Sequence, residues 1–104
     1  MRESNNEKLH RVLDLVAPAL VEAAPQWAKA TTAYHVKGLY SMIAQEPVMA
    51  LTLICSDIEE RGCSVSQEAY ELLQEVGEDF YANAFIRSTG LKREVWENLR
   101  SRVF

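Results

Sequence analysis

The sequence predicts an all-α fold: a single compact bundle of about five helices spanning residues 1–104. Three observations predict it. Apolar residues recur at helical spacing along most of the chain, capping residues stand where helices should begin, and only four Gly and three Pro occur, too few for many short strands and tight turns. A length of 104 residues suits one domain. The apolar fraction of 48% is enough for one core, and a charged fraction of 25% is ordinary, which argues against an intrinsically disordered chain.

Ser4 and Glu7 match the S-x-x-E capping box, so the first helix starts at Ser4. Leu9, Val12, Leu13, Val16 and Leu20 then form one apolar stripe. Pro18 should kink or shorten this helix, and Pro25 should stop it. The second helix is read from Gln26 to about Ala44, with a looser pattern of Trp27, Ala30, Tyr34, Val36, Leu39, Tyr40 and Ile43 around Gly38. Pro47 suits the first position of a third helix that runs to about Arg61, where Gly62 provides a left-handed cap. Val48, Leu51, Ile54, Cys55 and Ile58 share one side of it. Met49 and Leu53 lie with Ser56 and Glu60 on another, which implies burial on both sides or an exposed contact patch.

Ser66 caps the fourth helix, with Val65 and Tyr70 as a hydrophobic staple. Leu72, Leu73, Val76, Phe80 and Ala84 face inward. Gly77 inside this helix costs about 1 kcal/mol relative to Ala, which points to a break or a close helix approach. Thr89-Gly90 marks a turn, and Leu91, Val95, Trp96, Leu99 and Val103 suggest a short final helix. No internal repeat or low-complexity segment is present.

The polar start, Met1 to Glu7, lacks the apolar run of a signal peptide, and the nearly uncharged stretch Pro47–Ser56 is about half a membrane span. A cytoplasmic protein without membrane contact is expected. Cys55 and Cys63 form no C-x-x-C pair and are read as reduced, buried thiols. His10 and His35 lie in no catalytic signature and read as solvated or satisfied imidazoles. The two cysteines and two histidines lack the local pairs of a zinc site, and no phosphate-binding glycine loop exists. Glu59-Glu60 and Glu78-Asp79 are paired acids, but helix neighbours point about 100° apart and share no pocket that would raise a pKa. Neither an enzyme nor a cofactor is expected.

Charge is unevenly distributed. From Asp57 to Asp79 there are eight acids and one base, a net −7, whereas Arg87 to Phe104 carries +3. The acidic middle disfavours a nucleic-acid partner, although Arg87, Lys92, Arg93, Arg100 and Arg102 leave phosphate contact as a weak option. Glu68, Glu71, Glu75, Glu78 and Asp79 form one narrow stripe on the fourth helix. A solvated face usually mixes signs, whereas this one repels itself. Tyr70, Gln74 and Tyr81 border it, a mixture that binding sites favour. Together with Asp57 and Glu60 these residues make the candidate partner-binding surface; a plain solvated face is an equally weighted reading.

Between Glu46 and Tyr70 the chain carries Glu46-Pro47, Ala50-Leu51, Leu53-Ile54-Cys55, Ile58-Glu59-Glu60, Cys63 and Ser66-Gln67-Glu68-Ala69-Tyr70-Glu71-Leu72, followed later by Trp96-Glu97-Asn98-Leu99. Over Leu39 to Leu99 this pattern resembles the small MafI-type immunity proteins of bacterial polymorphic and contact-dependent toxin systems. The resemblance implies a cytoplasmic inhibitor that binds a cognate toxin domain one-to-one as a monomer. Such toxins are often nucleases with basic clefts, which an acidic helical surface would block by mimicking phosphate. The alternative is a helical adaptor or regulatory subunit that uses Met49, Leu53, Tyr34 or Tyr40 in a self-dimer or against a partner helix.

Overall fold

The computed structural model describes residues 3–104. Among them lie four long helices, two short ones and two 3-10 segments, with no strand beyond a single bridge. The bundle is all-α, as the periodicity predicts.

Helix α1 (Asn5–Ala23) begins with the anticipated capping box: Ser4 Oγ accepts from the Glu7 amide at 3.1 Å, and the Glu7 carboxylate accepts from the Ser4 amide. Pro18 does not end it. The helix continues to Ala23, held by the buried residues Leu13, Val16 and Leu20 around the lost hydrogen bond. Pro25 does end the run, but it leads into a 3-10 turn, Gln26–Ala28, and α2 starts only at Lys29 (Lys29–Gln45). Lys29 Nζ turns back and donates to the carbonyls of Val21 and Glu22 at 3.3 and 3.1 Å in the last turn of α1, the first of which also accepts the Ala24 amide.

Helix α3 (Pro47–Arg61) has Pro47 in its first turn and ends at Gly62 with φ 66°, a left-handed conformation that disfavours side chains. Helix α4 (Gln67–Tyr81) is capped by Ser66 Oγ, which accepts from the Ala69 amide at 3.1 Å. It stops at Tyr81 because Asn83 starts a new turn: its Oδ1 accepts from the amides of Phe85 and Ile86. Ala84, expected inward, is therefore exposed at the start of α5 (Ala84–Ser88). The anticipated final helix is likewise split into α6 (Glu94–Glu97) and a 3-10 segment, Asn98–Arg102. Backbone bonds from Val65 to Arg102 and from Phe104 to Val65 tie this end to the α3–α4 connection.

α1 packs against α2, α3 and α4, and α2 packs against α1 and α3; α2 and α4 are not substantially packed on each other. Leu9, Leu13 and Leu20 from α1 meet Leu39, Ile43, Leu51, Ile54, Ile58 and Leu73 in the core. Trp96 and Leu99 close it from the C-terminal side, both fully buried. The packing explains the cost of Gly77. A Cβ there would fall within 2.7 Å of Trp96 Cε2 and closer still to other indole atoms, so the missing side chain is the slot in which the indole lies.

Candidate protein-binding surface

The outer face of α4 carries the stripe that the sequence singles out, but the bundle supplies bases that no sequence neighbour could. Lys8 of α1 pairs with Glu75 at 3.1 Å, and Arg11 bridges Glu3 at 2.7 Å and Glu68 at 3.7 Å. Arg93 meets both oxygens of Glu78 as a fork, at 3.0 to 3.2 Å. Its guanidinium also lies 4.5 Å from the centre of the Tyr81 ring, and that of Arg87 lies 5.4 Å away. Glu78 holds the Arg93 guanidinium above its usual pKa, first through the hydrogen bond and then through its charge. Asp79 accepts from the Asn5 amide group at 2.6 Å, and Glu71 from the Gln67 amide group at 3.0 Å. The stripe is thus cross-braced rather than purely self-repelling.

The sequence-chosen residues separate into three groups. Glu75, Glu78 and Asp79 converge with Glu3 on one depression where α1 begins and α4 ends, with Ser4, Asn5, Lys8, Leu72 and Ala82 completing its wall. Glu68 and Glu71 lie further up α4, with Gln74 and Tyr81 half-buried on its borders. Asp57 and Glu60 belong elsewhere, on α3. Asp57 turns toward α2, where its Oδ2 lies 2.7 Å from His35 Nε2, and it lines a hollow with Trp27, Thr31 and Arg61. Tyr70 is a correction. It is only 5% exposed, packed in the core, and its hydroxyl accepts from Arg100 Nε, so it is no surface anchor. Its place as half of the staple, against the buried Val65, decides its fate over its position beside the acids.

Several residues outside the acidic stripe also belong to these surfaces, among them Tyr34, Met49 and Leu53, which the sequence offers for an apolar contact. Glu3, Asn5 and Lys8 share the α4 depression because α1 runs beside α4. Trp27 and Tyr34 are 86% and 79% exposed, whereas Val36, Leu39 and Ile43 of the same region are buried. A wheel that separated those two sets would have found the aromatic face. Met49 is half-exposed on a groove formed with Pro47, Val48, Thr52, Leu91 and Val95, while Leu53 is half-buried against the core.

Among the described residues no hydroxyl or thiol is hydrogen-bonded to His35, so the His35–Asp57 pair joins α2 to α3 without a nucleophile. Burial, reinforced by the Glu59 charge, pushes the Cys55 thiol far above the range in which it reacts. Burial also raises Cys63, against the opposing charges of Arg61 and Arg102, and its Sγ donates to the Ala19 carbonyl. Both cysteines are free. The Tyr40 hydroxyl donates to the Asp14 carboxylate, and its pKa is pushed up to about 12 by burial and then by that bond and charge. Among the described residues no group of three His, Cys, Asp or Glu side chains is placed to hold a metal, and no helix is long and apolar enough to cross a membrane.

Comparison with known protein families, characterised proteins and solved structures finds no match to this chain.

Proposed function

We propose that this chain acts by binding a protein, as an immunity-type inhibitor of a toxin domain with a basic surface. The observation that supports this most is the convergence of Glu3, Glu75, Glu78 and Asp79 on one open depression whose lining holds Lys8 as its single base. Lys8, Arg11 and Arg93 pair with Glu75, Glu3 and Glu78, so Asp79 supplies the depression's excess negative charge, and Glu71 extends it along α4. Such a field draws a cationic surface in and orients it before contact. The same field repels phosphate, which disfavours a nucleic-acid partner on this side.

The experiment is co-expression with a toxin domain of basic surface, taken from any toxin gene found next to this chain's own. Wild-type protein should restore growth, and Glu71→Lys/Asp79→Lys should not, because neither residue is held in an ion pair among the described residues and both are exposed. Half-exposed Met49 on its apolar groove favours a second reading, an adaptor that takes an apolar side chain there. Full protection by the charge variant with loss of protection in Met49→Asp would transfer the function to that groove.

A further inference from the structure

A hollow lies where the start of α2 meets the end of α3. It measures about 590 Å³, within the range of small-molecule sites, and its lining includes Trp27, Thr31, Thr32, His35, Asp57 and Arg61. The local sequence puts a bare helix start there. Pro25 ends the first helical run, the 3-10 turn Gln26–Ala28 follows, and α2 begins behind Ala28. Ser4, Ser66 and Asn83 cap their helices with side-chain oxygens, whereas an alanine has none to offer. The Gln26 carbonyl serves the Lys29 amide, but no side-chain acceptor meets the positive end of the 17-residue α2.

Thr32 is the one buried polar residue among the described residues, 4% exposed, and its hydroxyl makes no hydrogen bond to any of them. A helical threonine commonly donates to the carbonyl four residues back, as Thr52 does to Val48 at 3.1 Å. For Thr32 that carbonyl belongs to Ala28, whose backbone stands outside helical geometry at φ −109° and ψ 0°. Among the described residues Trp96 Nε1 is the one side-chain polar atom both unpartnered and fully enclosed. The Thr32 oxygen therefore keeps an opening, and the hollow that Thr32 lines provides it. Arg61 reaches the same hollow half-buried and makes no ion pair or side-chain hydrogen bond among the described residues. Asp57 is the one acid in the lining, nearly enclosed and held 2.7 Å from His35 Nε2. The charge left without a partner is the cation.

We propose that this hollow binds a small phosphate ester whose ring lies on Trp27. A phosphate group carries enough acceptor oxygens to meet the first-turn amides of α2, the Thr31 and Thr32 hydroxyls and the Arg61 guanidinium together. Trp27, in the 3-10 turn ahead of α2, is 86% exposed and offers its face to a flat group. The chain's net charge of −4 disfavours a long polyanion, so the ligand carries a single phosphate group. The hollow shares no residue with the α4 depression, so this site is independent of the inhibitor reading.

Phenyl phosphate, inorganic phosphate and benzoate are the probes, titrated into the full chain and followed by amide proton–nitrogen correlation spectra. Phenyl phosphate should shift the amides of Ala30, Thr31 and Thr32 and the Trp27 indole N–H saturably. It should bind at least about fivefold more tightly than either of the others. Arg61→Gln and Thr32→Val should each weaken it at least about fivefold with an unchanged circular dichroism spectrum. Thr31→Ala, at an exposed position, should also weaken it and keeps the test open if Thr32→Val disturbs the helix. Lys37→Gln, which removes the same charge elsewhere on α2, should leave binding unchanged. Trp27→Ala should bring phenyl phosphate down to the level of inorganic phosphate. No saturable shift at Ala30, Thr31 and Thr32, or equal losses in Lys37→Gln and Arg61→Gln, would overturn the site. Benzoate held as tightly as phenyl phosphate would overturn its assignment to phosphate.

Discussion

On α4, the interior glycine holds the Trp96 indole, and the acids Glu68, Glu75 and Glu78 are met by Arg11, Lys8 and Arg93. On α2, the interior glycine meets nothing, and Tyr34, with Trp27 just ahead of the helix, stands in solvent. Both helices look costly when read alone. One carries a self-repelling stripe, the other exposed rings, and each has a glycine that costs about 1 kcal/mol in helix propensity. Within the fold, α4's oddities are largely answered by the chain's own side chains, and α2's are not. Gly77 and the paired acids of α4 thus serve stability, whereas Glu71 and Asp79, which make no ion pair among the described residues, stay open to a partner, as do the exposed rings of Trp27 and Tyr34.

The largest effect separating the two helices comes from their glycines. Gly77→Ala should destabilise by about 1–3 kcal/mol because the indole must move, seen as a lower denaturant midpoint. A neutral result would mean that the Trp96 slot is looser than its geometry. Tyr40→Phe tests the α1–α2 seam. It removes a hydrogen bond to a charged acceptor, a loss of about 1–2 kcal/mol at neutral pH. The folded phenol titrates above its ordinary 10.0, at about 12, so the fold favours the neutral form. That contribution is complete below pH 10 and is lost as pH rises from about 10 toward 12; the variant should therefore show a flatter alkaline stability profile. Gly38→Ala should do the reverse of Gly77→Ala and stabilise the protein by up to about 1 kcal/mol, and destabilisation there would reveal an internal role for this glycine. The smallest effect is expected at Lys8→Ala, below about 1 kcal/mol and fading with added salt, since its pair with Glu75 is partly solvated.

Much of the fold was legible because its signals are local. The Ser4–Glu7 box, Pro47, Gly62 and Ser66 each act within one helical turn, and each stands where the structure has it. The features that were not legible depend on distant partners or on competition between local signals. The Lys8–Glu75 and Arg93–Glu78 pairs join different elements, so a test of i,i+4 spacing reports only repulsion. Asn83 captured the turn that would have carried Ala84 inward. The last helix tightens to 3-10 from Asn98, ahead of a chain end that pairs with the distant Val65. Tyr70 was misplaced for a different reason. It stands both beside the acids and in the staple, and only packing decides between them.

Docking of a basic protein on the α4 depression is the central claim. Its most direct test is the association rate of this chain with a toxin domain that it protects against in co-expression, measured by stopped flow over a range of salt. The wild-type rate should fall steeply as salt rises, because steering fades beyond a Debye length of about 8 Å at physiological ionic strength. Glu71→Lys/Asp79→Lys should associate at least about tenfold more slowly at low salt and lose most of the salt dependence. Equal rates and equal salt slopes for the two proteins would contradict the claim.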